Sequence, residues 1–157
     1  MSLVEDRLLA LGLELPAPST PVANYVPYVI SAPWLVLSGQ IALGADGKLD
    51  PAHIGKVGRS VTVEAGQAAA RRCAINLLAQ AKAALGDLDR ITRCVRLGGF
   101  INVAPGFSSV ALVMNGASDF IVDILGDKGR HARSTIGVAE LPLDSAVEVE
   151  AIFEFAR

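Results

Sequence analysis

The chain has 157 residues, 52% of them hydrophobic and 19% charged, with 16 acidic against 14 basic side chains and a formal net charge of −2. One domain of this length buries roughly two thirds of its unfolded surface without disulfides or metals, and the faintly acidic balance argues against tight non-specific binding to nucleic acid. A mean hydropathy of +0.44 is high for a lone soluble domain and implies that part of the surface is covered in an oligomer.

No apolar run reaches the roughly 18 residues of a membrane span, and the opening MSLVEDRLLALGLELPAP is acidic and broken by proline, unlike a secretory leader. The expected location is the cytoplasm. Residues 3–13 carry the pattern of a short helix and LPAPSTP that of a connector. Residues 1–22 therefore read as an N-terminal extension, an appendage to a domain over residues 23–157.

From Asn24, NYVPYVISAPWLVLSGQIAL splits into two extended segments near Ala32-Pro33, and ALGADGKLDPAH is a surface loop with an Asp-Gly turn. Thr62 caps a helix with Glu64 at its positive end; Ala70, Cys73, Ala74, Leu77, Leu78, Ala81 and Leu85 recur at spacings of three and four until Gly86 stops it. LDRITRCVRLGGFINV is a strand with a glycine-softened middle. Cys73 and Cys94 have no partner at ligand spacing, so both read as buried thiols, and neither a metal nor a cofactor is expected. A second helix over about 109–125 and strands over 133–141 and 146–155 complete the order ββαβαββ. This is an α+β pattern, a sheet with two main helices packed on one face.

GRHARS, residues 129–134, sets Arg130, His131 and Arg133 in front of the penultimate strand. If the last two strands form an antiparallel hairpin, matching Ile136 and Val138 with Val147 and Val149 puts Arg133 on the face of Glu148 and Glu150, beside the open space at Gly137. Two readings stay open. One is an exposed ion pair worth about 0 to 1 kcal/mol. In the other, Arg133 offers its planar fork to a substrate carboxylate or phosphate while Glu148 orients a water. Arg130 and His131 read as surface or rim residues.

Three stretches resemble the YjgF/Rid family, the reactive intermediate deaminases, also called L-PSP endoribonucleases: YVPYVISAPWLVLSGQIAL, VEAGQAAARRCAINLLAQAKAAL and, most specifically, ARSTIGVAELPLDSAVEVEAI. The resemblance covers most of residues 24–156. It implies a chorismate-mutase-like (YjgF) fold, a homotrimer with sites in clefts between subunits, and hydrolysis of small 2-imino or enamine carboxylates to 2-keto acids and ammonia. By motif, Arg133 binds the carboxylate and Glu148 helps position the attacking water. Tyr25 matches the family's tyrosine, with Tyr28 the second choice; Ser38, Gly39 and Asn115 complete the substrate site. An iminium carbon is already electrophilic, so such a site has to do little beyond holding the carboxylate and placing a water.

The chain departs from the pattern where Ala23-Asn24 replaces a Gly-Pro, where Thr135 stands in place of a frequent cysteine, and in extra residues around APGFSSVALVMN. It looks like a longer subfamily. Two other functions are consistent with the same motifs. One is a trimer that binds a small carboxylate metabolite without turnover; the other is an endoribonuclease, which lacks a paired-histidine site and a basic surface. Neither a membrane nor a nucleic acid is an expected partner.

Overall fold

The computed structural model describes residues 2–20 and 23–156. A helix, α1 (Leu3–Ala10), precedes strands β1 (Tyr28–Ser31) and β2 (Trp34–Ile41); α2 (Val63–Leu85), β3 (Ile91–Asn102), α3 (Val110–Leu125), β4 (Ala132–Val138) and β5 (Val147–Phe155) follow. After α1 the order is the ββαβαββ read from the sequence.

Local chemistry sets these limits. The Thr62 hydroxyl accepts from Ala65 N at 3.1 Å to start α2, and Gly86, at φ +76°, ends it, a left-handed conformation that suits glycine. Along α2 the buried residues are mostly small, Ala69, Ala70, Cys73, Ala74 and Ala81 among them, so the helix lies close on the sheet. The helix α3 packs beside it at Gly116, where a Cβ would collide with the backbone of Gln67.

The N-terminal helix is tied down rather than appended. Its first two amides donate to the Asp89 carboxylate at 2.8 and 3.0 Å, and Arg7 Nη1 donates to Ile124 O at 2.9 Å. Its Val4 and Leu8 belong to the hydrophobic core. The helix ends at Ala10, short of the expected residue 13, because the chain turns at Leu11-Gly12.

The five strands lie in the order β1-β2-β5-β3-β4; only β3 and β4 are parallel. The expected hairpin of the last two strands does not form. The α3 crossover returns the chain so that β4 runs parallel to β3 at the sheet edge, while β5, apolar along one whole face, takes the central place between β2 and β3. Register follows from this. Leu97 pairs with both Arg133 and Ala151, whereas Phe100 pairs with both Ile136 and Glu148, and Gly98 with Glu150. Arg133 therefore lies on the helix-covered face and Glu148 and Glu150 on the other, the reverse of the shared face that the hairpin register implied.

The covered face carries Leu35, Leu37, Leu97, Ile101, Val147, Val149 and Phe153, each at most 2% exposed. Among the described residues, none forms a layer over the opposite face. There Val29, Trp34, Val36 and Ile136 are exposed, so Ile136 is not the core partner its pattern suggested. Among the described residues no helix is long and apolar enough to cross a membrane.

Candidate functional site

Arg133 sits at the start of edge strand β4 and reaches α3. Its Nη1 donates to Asn115 Oδ1 at 2.9 Å and to Ser118 Oγ at 3.1 Å, and its Nη2 to Ala111 O at 3.5 Å. Residues 111, 115 and 118 are spaced by four and three, so one stripe of the helix supplies all three acceptors. Nη1 is the guanidinium nitrogen on the Cδ side; the parallel pair that grips a carboxylate side-on is Nε–H with an Nη2 hydrogen. Both Nη1 hydrogens go to protein, whereas Nε–H donates to nothing among the described residues. The half-buried cation thus keeps its bidentate edge.

Two residues from the same loop region support it. Ser118 Oγ is 2.9 Å from His131 Nε2, and His131 Nδ1 is 2.6 Å from Gly129 O.

Glu148 occupies a separate place. Between the pairs Leu37–Ala151 and Gln40–Val149 the register of β2 shifts at Ser38-Gly39, and a Cβ on Gly39 would collide with the Glu148 carboxylate. Any side chain at residue 39 would have to push the Glu148 carboxylate aside, so the glycine leaves that carboxylate its place. Burial pushes the Glu148 carboxyl above the ordinary carboxylate range, and the neighbouring Glu150 pushes it further. Ser38 Oγ donates to Val26 O at 2.7 Å, which holds the segment bearing Tyr25. Tyr25, Gly39 and Glu148 line one cavity of about 410 Å³, whose walls include Pro27, Ile41, Leu43 and Leu143.

Two walls of that cavity, Ser19 and Leu143, were not singled out from the sequence. Ser19, in the connector, donates to Gln40 Oε1 at 3.1 Å and accepts at its carbonyl from Gln80 Nε2 at 2.7 Å. The connector is thereby fixed as a wall. Leu143 and Asp144 both have φ +55°, a conformation that disfavours a leucine. They are held by buried Asn102, which donates to Asp144 Oδ1 at 2.8 Å and accepts from Lys56 Nζ at 2.9 Å. Only the Leu-Pro turn gave any sequence signal for this loop.

The structure therefore brings Tyr25, Ser38, Gly39 and Glu148 together, and joins Arg133 to Asn115, but keeps the two groups apart within one chain. Tyr28 faces Leu37 across the β1–β2 pair and packs against the core instead of lining the cavity. Cys73 and Cys94 are free and buried, and burial raises both thiols, Cys94 to about 12. Among the described residues no cluster of His, Cys, Asp and Glu is arranged to hold a metal ion.

The family model described as "YjgF/chorismate mutase-like, putative endoribonuclease" matches residues 5–155. The chain belongs to this family. It is 47% identical over 152 residues to protein TCP17 of Trypanosoma cruzi, covering 96% of this chain and 93% of that one. The crystal structure of Atu1372 from Agrobacterium tumefaciens, a protein of unknown function, is 46% identical with a TM-score of 0.90, covering 98% of this chain and 93% of that chain. A "putative endoribonuclease" from Shewanella oneidensis MR-1 is 38% identical with a TM-score of 0.92, over 97% and 99% of the two chains. The Escherichia coli YjgF gene product shares the fold at 23% identity, with a TM-score of 0.64 over 90% and 94%. The YjgF fold expected from the motifs is the fold observed, and this YjgF-family chain is nearer in structure to Atu1372 and the Shewanella protein than to the Escherichia coli YjgF product.

Proposed function

We propose that the protein hydrolyses small 2-imino or enamine carboxylates to 2-keto acids and ammonia, in clefts formed between copies of the chain in a cytoplasmic homotrimer. The observation that carries this reading is the side-on edge of Arg133, a fixed fork matched to a carboxylate, in which Nε–H has no acceptor among the described residues and Nη2 has only Ala111 O at 3.5 Å. The exposed Val29, Trp34, Val36 and Ile136 on the uncovered face of the sheet support assembly, and assembly is the means by which Arg133 of one copy meets Tyr25, Gly39 and Glu148 of another. Two free cysteines are consistent with a reducing compartment.

In this mechanism an enamine first takes a proton from solvent at carbon to give the iminium, whose carboxylate Arg133 holds. Ionised Glu148 accepts a proton from water as the water oxygen bonds to the iminium carbon, giving a neutral carbinolamine. Glu148 returns that proton to nitrogen and then takes the hydroxyl proton as the C–N bond breaks, the carbonyl forms and ammonia leaves. A carboxyl whose affinity for protons is raised is suited to both halves of this exchange. RNA cleavage has less support, because the net charge is −2 and the two histidines, His53 and His131, lie on separate elements.

The test is a coupled assay in which another enzyme generates 2-aminoacrylate. The protein should accelerate pyruvate release, and Arg133→Ala should lose about a hundredfold or more of kcat/KM. No acceleration with imines from several amino acids would overturn the catalytic reading; Arg133-dependent binding of a 2-keto acid in calorimetry would then leave a binding trimer.

A further inference from the structure

We infer that His131 is a positioning residue that acts through Ser118 to fix the direction in which Arg133 presents its fork; the inference rests on the proposed role of Arg133 as carboxylate anchor. The number of hydrogens available sets the direction of each bond. Gly129 O can only accept, so the 2.6 Å contact with His131 Nδ1 requires a hydrogen on Nδ1. In the neutral ring Nε2 is then a bare acceptor. Ser118 Oγ, 2.9 Å away, donates its single hydrogen to it. With that hydrogen committed, the oxygen turns its lone pairs to Arg133 Nη1 at 3.1 Å.

The bonds run in one sense, Arg133 to Ser118 to His131 to the Gly129 carbonyl, and none can be reversed without stranding a donor. Without the imidazole, the Ser118 hydroxyl is a free rotor that can turn its hydrogen toward the guanidinium. With it, Ser118 and Asn115 take both Nη1 hydrogens, and the guanidinium cannot rotate to offer Nη1 without breaking two bonds. Nε–H is left free among the described residues, and Nη2 beside it is engaged only at 3.5 Å by Ala111 O. A charged fork held this way loses less freedom on binding its ligand.

The sequence builds the device from two spacings. Gly129-x-His131-x-Arg133 sets the two side chains on one side of an extended segment, and Asn115-x-x-Ser118 sets the two acceptors on one stripe of α3. Gly129 belongs to it, because a Cβ there would collide with the α3 backbone at Ile121 and Val122. That close approach brings the Gly129 carbonyl within reach of the ring.

The experiment compares wild type with His131→Phe, Ser118→Ala, the double variant and His131→Gln, by calorimetry with 2-oxobutyrate and by imine turnover. Each of the first two should weaken 2-oxobutyrate binding about tenfold, the loss that follows one misplaced charge-assisted bond. KM should rise while kcat stays near wild type, since a carboxylate anchor acts equally in the ground and transition states. The double variant should be no weaker than either single one, because both remove the same link, and His131→Gln, which restores an acceptor, should recover part of the loss. Additive losses, or His131→Phe binding like wild type with an unchanged melting curve, would overturn the inference. If wild type neither binds 2-oxobutyrate nor turns over imines, the functional reading fails while the relay is still decided by NMR of arginine-labelled protein. Separate, slowly exchanging Nη signals for Arg133 in wild type that merge in His131→Phe support it; merged signals in both overturn it.

Discussion

Arg133 and Glu148 lie on opposite faces of one sheet, with β3 between their strands: Arg133 is level with Leu97 under the helices, Glu148 with Phe100 on the uncovered side. A small imino acid spans neither the sheet thickness nor the two strand spacings, roughly 10 Å, between them. Each inactive variant thus retains the half-site that the other lacks.

Mixing subunits tests this directly. If the assembly is the proposed trimer, Arg133→Ala and Glu148→Gln proteins should each show little activity at substrate well below KM, yet after unfolding and refolding together in equal amounts they should regain about a quarter of wild-type activity under the same conditions. This is the yield expected when every mixed cyclic trimer contains one intact cleft. No recovery would place both residues of a working site in the same chain.

Glu148 sets a second expectation, on stability. Its carboxyl holds its proton more tightly in the native state than in the unfolded chain, because of burial and then Glu150. The native state therefore binds more protons than the unfolded one as pH rises from the ordinary glutamate range through the raised native value, and stability falls across that window. Glu148→Gln removes the fall. Urea midpoints should agree below the window and diverge above it, with the variant the more stable of the two there. A variant less stable at neutral pH than below the window would contradict the assignment.

Element order was legible because it rests on local signals: the Thr62 cap, the Gly86 stop and the three-and-four spacing between them need no knowledge of the rest of the chain. Strand parity was also readable in part, since Arg133 and Ile136 do lie on opposite faces. Their inward direction was not, because the choice between β5 and β3 as partner for β4 is made over long sequence distances by the α3 crossover. The apolar Ile136 misled for a physical reason. It points to the uncovered sheet face, where Phe100, Val36 and Trp34 are interspersed with Glu148, Glu150 and Glu154. Ser118 and His131 were silent as a pair because they are 13 residues apart on different elements, and only folding brings them into contact.

Asn102 carries a third expectation. It is fully buried, joins Lys56 to Asp144 and donates to the buried Ser145 carbonyl at 3.3 Å, so truncation to alanine removes all three bonds and leaves that carbonyl short of a donor. Asn102→Ala should lose about 2 kcal/mol in denaturant unfolding. Leu143→Gly should move the other way, gaining about 1 kcal/mol from relief of the left-handed leucine. Equal signs for the two variants would show that the loop is not held under strain by Asn102.

The central position of β5 has a consequence for assembly of the sheet. The β1–β2 hairpin and the β3–α3–β4 unit each close over short sequence distances, but within the sheet they meet only through β5, which joins Leu35 to Phe153 on one side and Leu97 to Ala151 on the other. Such long-range closure is slow compared with formation of the local units. Until it happens, each half presents a bare strand edge, and the slot between them fits the β5 of any copy of the chain as well as its own. Exchange of that strand between neighbours is the misassembly this topology invites, and crowding during refolding should favour it.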